Sequence, residues 1–203
     1  MISFVYFDVG GVLDKDFSGS TKWDNLRDEL GIRPSEAYEL FWQEVEKDIC
    51  TRKEVDDLLP LLEQKFGAKI PSDYSLLDSF VKRFEKNESI WLVVREIQQT
   101  AKTGLLTMMY PHMLDALLES GILPPMRWDA VMDSSVVVLV KSDDATYKLA
   151  QEKAGVPAAE ILYIDNTKRY LDIALTFGWQ TYWYDASDYE KSNRELKRFW
   201  DQH

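Results

Sequence analysis

Short apolar runs alternate with amphipathic helical segments over the second half of the chain, and this alternation is the strongest constraint on the fold. From residue 103 onward, each apolar run is separated from the next by polar turns or by a segment with helical spacing of apolar residues. The predicted strands are at 104–109, 130–132, 136–140, 161–164 and 180–184. Such alternation is typical of a parallel sheet covered by helices on both faces. The sequence therefore predicts the α/β class, with a doubly wound parallel sheet.

The N-terminus supplies a further strand of the same sheet. Residues 2–8 are aromatic and β-branched and end at a pair of glycines, as expected of a buried strand followed by a turn. The next seventy residues carry helical patterns and no strand pattern. We therefore expect two units, namely a core domain formed by residues 1–15 and 88–203 and an all-helical cap domain formed by residues 16–87.

Composition limits the classes of partner. The formal net charge is −11, which disfavours nucleic acid and anionic membrane surfaces as partners. No apolar run approaches the roughly 20 residues that span a bilayer, and the N-terminal segment has no basic region of the kind found in signal peptides. The single cysteine, Cys50, excludes an intramolecular disulfide. We expect a cytoplasmic protein that binds neither nucleic acid nor membrane, and the sequence leaves its oligomeric state open.

Polar residues follow the predicted strands at the positions where open α/β sheets bind ligands, which is outside the carboxyl ends of the strands. These residues are Asp8, Thr107, Lys141, Asp165 and Asn166. An aspartate can attack a phosphoryl group, carboxylates can hold Mg²⁺, and a lysine can pair with both a carboxylate and a phosphate. Their arrangement at successive strand ends indicates one site at one edge of the sheet.

Four segments in chain order resemble the four sequence motifs of haloacid-dehalogenase-like hydrolases. They are residues 7–13, 105–107, 141–147 and 161–166. The resemblance covers about residues 2–14 and 88–185, and it identifies the helical insert with the cap that such proteins carry between the first and second motifs. It implies the Rossmann-like core of that superfamily.

The resemblance also implies roles for individual residues. Asp8 would be the nucleophile, and Thr107 and Lys141 would complete the catalytic set by holding the phosphoryl group. The residues expected to bind substrate are Gly11 and Met108. The expected ligands of Mg²⁺ are Asp8, Gly10 through its carbonyl, Asp165 and Asn166. The implied activity is hydrolysis of a small phosphorylated metabolite through an aspartyl-phosphate on Asp8.

Two residues depart from the family pattern and leave an alternative open. Phosphatases of this type usually have a second aspartate two residues after the nucleophile, which protonates the leaving group, but here that position is Gly10. Loss of a general acid typically costs about 10²–10⁴-fold in rate. Asn166 replaces a carboxylate that usually binds the metal, so Mg²⁺ would be held weakly. The alternative is a catalytically degenerate binding or regulatory protein on the same fold.

A third possibility is a 2-haloacid dehalogenase, because those members of the superfamily need no metal and also lack the second aspartate. Their fourth motif carries a Ser-Ser-Asn pattern, which Ile164-Asp165-Asn166 does not match. The sequence therefore favours phosphatase chemistry over dehalogenation.

Overall fold

A parallel sheet of five strands forms the centre of the protein. The structure, a computed structural model, describes residues 1–202, and residue 203 of the predicted core lies outside the described residues. The strands, numbered along the chain, are β1 (Phe4–Phe7), β2 (Asp14–Lys15), β3 (Glu85–Lys86), β4 (Lys102–Thr107), β5 (Ala130–Asp133), β6 (Ile161–Asp165) and β7 (Gln180–Trp183). Five of them form the sheet in the order β5-β4-β1-β6-β7, and every neighbouring pair is parallel.

Helices connect the strands and cover the sheet. They are α1 (Lys22–Glu29), α2 (Glu36–Ile49), α3 (Leu59–Phe66), α4 (Leu76–Val81), α5 (Glu88–Ile97), α6 (Met113–Glu119), α7 (Ser134–Val137), α8 (Asp144–Ala154), α9 (Lys168–Thr176) and α10 (Tyr189–Trp200). Short 3₁₀ turns precede α3 and β6. None of the helices within residues 1–202 has the length and apolar character that crossing a bilayer requires.

Alternate residues of the central strands enter two separate cores, one on each face of the sheet. In β1, Val5 and Phe7 belong to one apolar cluster, while Phe4 and Tyr6 belong to the other. Because successive side chains of a strand point to opposite faces, all four residues are buried. The predicted doubly wound α/β fold is confirmed.

The register of the strands brings the predicted site residues to one edge. Phe7 is level with Leu105 of β4 on one side and with Ile164 of β6 on the other. Asp8, which follows β1, therefore lies level with Asp165, the last residue of β6. The carboxyl ends of the three central strands form one surface.

The short strands β2 and β3 form a two-stranded antiparallel ribbon. The first follows β1 in the chain, and the second precedes α5 and β4. Asp14 of β2 pairs with Lys86 of β3, and Lys15 pairs with Glu85. The sequence did not predict this ribbon, because two-residue strands are too short to show a period. Between the two strands the chain is otherwise helical or irregular. We propose that the ribbon is the boundary between the core and the predicted cap at residues 16–87.

The predicted strand at 136–140 is wrong. The separate strand predicted at 130–132 is present as β5, but residues 134–137 form the short helix α7, where Asp133 accepts a hydrogen bond from the Ser135 N–H. Val138 then has a left-handed backbone, with φ of 57°. Val136 is 75% exposed, so the β-branched run does not mark a buried strand.

The spacing of apolar residues predicts helices over 53–66, 74–85 and 110–120, and all three are shorter in the structure. The segment 53–66 divides into a 3₁₀ turn and α3, which begins beside Pro60, because proline is tolerated only in the first turn of a helix. The segment 74–85 is helical only over α4, and its end belongs to β3. The segment 110–120 is helical only over α6, which starts after the left-handed residue His112.

A buried polar network joins the ribbon to the sheet and the C-terminal helix. The Asn87 amide donates to the Val12 carbonyl at 2.7 Å and to the Tyr184 hydroxyl at 3.1 Å. The Asn193 amide donates to the Asn87 side-chain oxygen at 2.8 Å, and the Tyr184 hydroxyl donates to Asn193 at 2.6 Å. Asn87 thus fixes the point at which β3 passes into α5.

Replacement of Asn87 by alanine should destabilise the protein, because it leaves buried donors and acceptors without partners. We expect the free energy of unfolding to fall by about 2–3 kcal/mol. The control is Ser89→Ala, which removes a half-exposed hydroxyl that accepts from Asn193 and donates to Glu190 and should cost only about 1 kcal/mol. Urea titrations of the two variants check this, and equal losses would contradict the role of Asn87.

Candidate active site

The ammonium group of Lys141 lies between the carboxylates of Asp8 and Asp165. Its Nζ is 2.7 Å from Oδ2 of Asp8 and 2.8 Å from Oδ2 of Asp165. All three side chains are buried, although Asp8 keeps 10% of its side chain exposed. A nucleophilic carboxylate and a cation that can pair with a phosphoryl oxygen are therefore in contact at the edge of the sheet.

Asp165 acts as the anchor of Lys141. Its Oδ1 accepts a hydrogen bond from the Thr167 N–H at 2.7 Å, and its Oδ2 also accepts one from the Tyr163 hydroxyl. Tyr163 precedes Asp165 by two positions on β6, so both side chains point to the same face. Both oxygens of Asp165 accept hydrogen bonds and the residue is fully buried. Asp165 therefore has a fixed position and orients the Lys141 ammonium group.

Lys141 lies in a loop and not at the end of a strand, because residues 136–140 do not form one. The Thr146 hydroxyl donates to the Val140 carbonyl at 2.6 Å, and the Asp143 N–H donates to the same carbonyl at 2.9 Å. Both bonds tie the backbone before Lys141 to the start of α8. The segment 141–147 thus positions the lysine by a turn and a helix start.

The loop after β1 turns sharply around the nucleophile. Asp8 Oδ1 accepts a hydrogen bond from the Val9 N–H at 2.8 Å, and the Asp14 N–H donates to the Val9 carbonyl to close the turn. Gly11 has a φ of 76°, and a Cβ atom there would lie 2.1 Å from the amide nitrogen of Asn166. Gly11 is thus required both by the backbone and by the close approach of Asn166.

Thr107 ends β4 beside this site. It is 2% exposed, and its hydroxyl is buried with no hydrogen-bond partner in the described part of the chain. An unsatisfied buried hydroxyl costs free energy unless a ligand completes it. Thr107 therefore has a free hydrogen-bonding group, as expected of a residue that contacts a phosphoryl oxygen.

A cleft of about 250 Å³ opens above Asp8. Of the predicted site residues, those that line it are Asp8, Gly10, Met108, Lys141 and Asn166. Gly11, Thr107 and Asp165 lie behind these and do not line it. The opposite wall comes from the predicted cap and includes Phe17, Trp23, Glu46, Cys50, Phe80 and Phe84.

The ionisable groups of the site influence each other strongly. Burial raises the pKa of Asp8, and the charge of Asp165 adds to that rise, while Lys141 opposes both. Burial lowers the pKa of Lys141, but the charges of Asp165 and Asp8 outweigh it and hold that pKa above its usual range. Lys141 therefore stays charged at neutral pH and compensates the carboxylates.

Sequence reasoning missed Asp16 and Ser18, which also line the cleft. Asp16 Oδ1 accepts a hydrogen bond from the Ser18 N–H at 2.8 Å, and the Asn166 amide donates to the Ser18 hydroxyl at 3.0 Å. Burial raises the pKa of Asp16. The return of this loop to the site depends on the turn around Gly11, for which the sequence has no periodic signal.

The oxygen donors at the cleft suit a weakly held Mg²⁺ ion. In residues 1–202 no three His, Cys, Asp or Glu side chains are grouped so as to hold a metal. Asp8, the Gly10 carbonyl and Asn166 nevertheless line one cleft, and Mg²⁺ accepts one or two carboxylates and neutral oxygens together with water. Asp165, the fourth predicted ligand, faces Lys141 instead.

Solved structures resemble this chain over nearly its whole length. An enzyme of the haloacid dehalogenase (HAD) family from Bacteroides thetaiotaomicron, in complex with magnesium and inorganic phosphate, is 15% identical over 93% of this chain and 96% of that chain, with a TM-score of 0.72. A predicted HAD-like hydrolase from Porphyromonas gingivalis is 19% identical over 98% of both chains, with a TM-score of 0.75. An L-2-haloacid dehalogenase is 21% identical over 97% of this chain and 99% of that chain, with a TM-score of 0.65.

This chain has the haloacid-dehalogenase-like hydrolase fold. The resemblance predicted from the four motifs is confirmed at the level of fold. A scan of protein-family models and a search of curated proteins found no match. The similar structures include both a protein with bound phosphate and dehalogenases, so the HAD-like fold alone does not choose between these reactions.

Replacement of Lys141 by methionine should destabilise this HAD-like protein, because it leaves Asp8 and Asp165 buried without a cation. We expect a loss of about 3–5 kcal/mol in the free energy of unfolding. The matched control is Lys148→Met on α8, where the side chain is exposed and the cost should be within about 0.5 kcal/mol. Equal stability of the two variants in denaturant titrations would show that Lys141 is not the compensating charge.

Proposed function

We propose that the protein is a phosphatase that hydrolyses a small phosphorylated metabolite through an aspartyl-phosphate on Asp8. The observation that carries this proposal is the contact of Lys141 with Asp8 at the floor of a cleft, since it joins a nucleophile to a cation suited to phosphoryl oxygens. We also propose as a donor to the phosphoryl group the Thr107 hydroxyl, which is buried behind the cleft lining and has no hydrogen-bond partner within residues 1–202.

In the first step the Asp8 carboxylate attacks phosphorus. The bond between phosphorus and the ester oxygen breaks, and the departing alcohol oxygen takes up a proton. Lys141 lines the cleft and holds the phosphoryl oxygens, so that charge developing in the transition state meets a cation that is already in place. Asp165 keeps Lys141 at that position through its own ion pair.

In the second step water attacks the phosphorus of the aspartyl-phosphate. The water gives up a proton, the Asp8 carboxylate leaves, and inorganic phosphate is released. Lys141 then pairs again with the free carboxylate, which restores the starting arrangement.

Mg²⁺ fits this proposal as a weakly bound cofactor. Asp8, the Gly10 carbonyl and Asn166 would hold it, with water completing the shell. When bound, the ion supplies positive charge that offsets the charge of the phosphate. Its contribution matters because the protein carries a net charge of −11, which by itself repels an anionic substrate.

The cleft favours a small substrate with an apolar organic part. Phe17, Trp23, Phe80 and Phe84 line the same cleft as the nucleophile, and aromatic side chains provide contact area for an apolar group. We propose a small molecule of this kind as the ligand, with neither nucleic acid nor membrane as a partner. We also propose a cytoplasmic location, which suits a chain whose single cysteine excludes an intramolecular disulfide.

A panel of small phosphate monoesters with Mg²⁺ tests the proposal. We expect turnover in the wild type and a loss of at least about 10³-fold in Asp8→Asn, because the amide does not attack phosphorus. The matched control is Asp133→Asn, a buried aspartate outside the cleft, which should keep the wild-type rate.

The same panel should include 2-haloacids without metal, since dehalogenases share the fold. Asp8-dependent release of halide with no phosphatase activity would overturn the proposal in favour of dehalogenation. Binding of Mg²⁺ and inorganic phosphate without any turnover would favour the alternative hypothesis of a catalytically degenerate binding protein, which is based on Gly10 and Asn166.

A further inference from the structure

We infer that Asp16 supplies the proton that Gly10 cannot supply. The inference rests on the proposed phosphatase function, and it assigns the general acid of the first step and the general base of the second step to a residue outside the four motifs.

The carboxylate of Asp16 occupies the space that a side chain at position 10 would fill. A Cβ atom built on Gly10 would lie 2.7 Å from Oδ2 of Asp16 and 3.4 Å from its carboxyl carbon. An aspartate at position 10 would therefore compete with Asp16 for the same place. The carboxyl group that position 10 lacks is present there, but it comes from six residues further along the chain.

The backbone of Gly10 does not itself require glycine. Its φ of −65° and ψ of 123° are ordinary values that any residue adopts, in contrast to Gly11 with its φ of 76°. The occupied space, and not backbone strain, is thus what opposes a side chain at position 10. A larger residue at position 10 would therefore have to displace the Asp16 carboxylate.

Contacts of the two residues that follow Asp16 hold it at the cleft. Phe17 is 7% exposed and packs against Trp23 and Phe80, with ring centroids 4.8 and 5.1 Å apart. Ser18 accepts a hydrogen bond from Asn166. The segment is therefore fixed to the cap on one side and to the end of β6 on the other.

The two carboxyl oxygens of Asp16 have different surroundings. Oδ1 accepts the hydrogen bond from the Ser18 N–H, whereas Oδ2 is the atom beside Gly10. In the first step the Asp16 carboxyl gives its proton to the departing ester oxygen as the bond to phosphorus breaks. In the second step the Asp16 carboxylate takes a proton from the attacking water, which returns it to its starting form.

The variant Asp16→Asn separates this role from a structural one. Asparagine keeps an oxygen that can accept from the Ser18 N–H, but it has no proton of suitable acidity to give. The measurement is the pre-steady-state release of alcohol from p-nitrophenyl phosphate and from phenyl phosphate with Mg²⁺. The nitrophenolate ion leaves without help, whereas phenolate needs a proton.

We expect Asp16→Asn to release phenol about 10²–10⁴-fold more slowly than the wild type, while p-nitrophenol release changes by less than about tenfold. Because the second step also loses its base, p-nitrophenol should appear as a burst of one equivalent followed by slow turnover. Equal losses with both substrates and no burst would overturn the inference and indicate a structural role for Asp16.

A second pair of variants guards against a folding defect. Asp16→Ala should hydrolyse phenyl phosphate more slowly than the wild type. Adding Gly10→Asp to Asp16→Ala should raise that rate by at least about tenfold, because the space beside position 10 is then vacant and the backbone there accepts an aspartate. Failure of the folded double variant to recover any rate would count against the inference. If the wild type shows no Asp8-dependent turnover, both the proposed function and the role of Asp16 are rejected. If the wild type is active and Asp16→Asn has the same activity, only the role of Asp16 is rejected.

Discussion

The ammonium of Lys141, held between the carboxylates of Asp8 and Asp165, is the interaction on which the site depends. Burial of any one of these charges alone would cost several kcal/mol, so the three are stable only together. They come from distant parts of the chain, namely the ends of β1 and β6 and the loop before α8. The ion pairs therefore join three segments at one edge of the sheet and fix the nucleophile against its cation.

The path of the chain after the nucleophile gives the site its second feature. The turn at Val9–Leu13 requires glycine at position 11, and the next residues form β2 of the ribbon before Asp16 comes back to the cleft. The segment that we propose as the boundary of the cap thus also lines the cleft. Any movement of the cap about the ribbon would move Asp16 relative to Asp8, which couples access of the substrate to the placement of the proton donor.

The parts of this structure that the sequence predicted are those with a local signal. Buried β-branched runs predicted β1 and β6, and with them the positions of Asp8 and Asp165, because a strand end at the edge of a parallel sheet is defined by a few neighbouring residues. The run at 136–140 has a similar composition, but Val136 and Val138 are exposed and the run forms no strand, so its composition gave a wrong prediction. Asp16 carried no signal, because its place depends on a turn and on contacts with residues far away in sequence.

The most direct test of this account is chemical identification of the phosphorylated residue. The protein would be mixed with p-nitrophenyl phosphate and Mg²⁺, quenched in acid within the first turnover, digested and analysed by mass spectrometry, with Asp8→Asn treated in parallel. The account predicts an acid-stable, base-labile phosphoryl group on the peptide that contains Asp8, and its absence from the variant. Turnover with no phosphorylated peptide, or with the phosphoryl group on another residue, would contradict it.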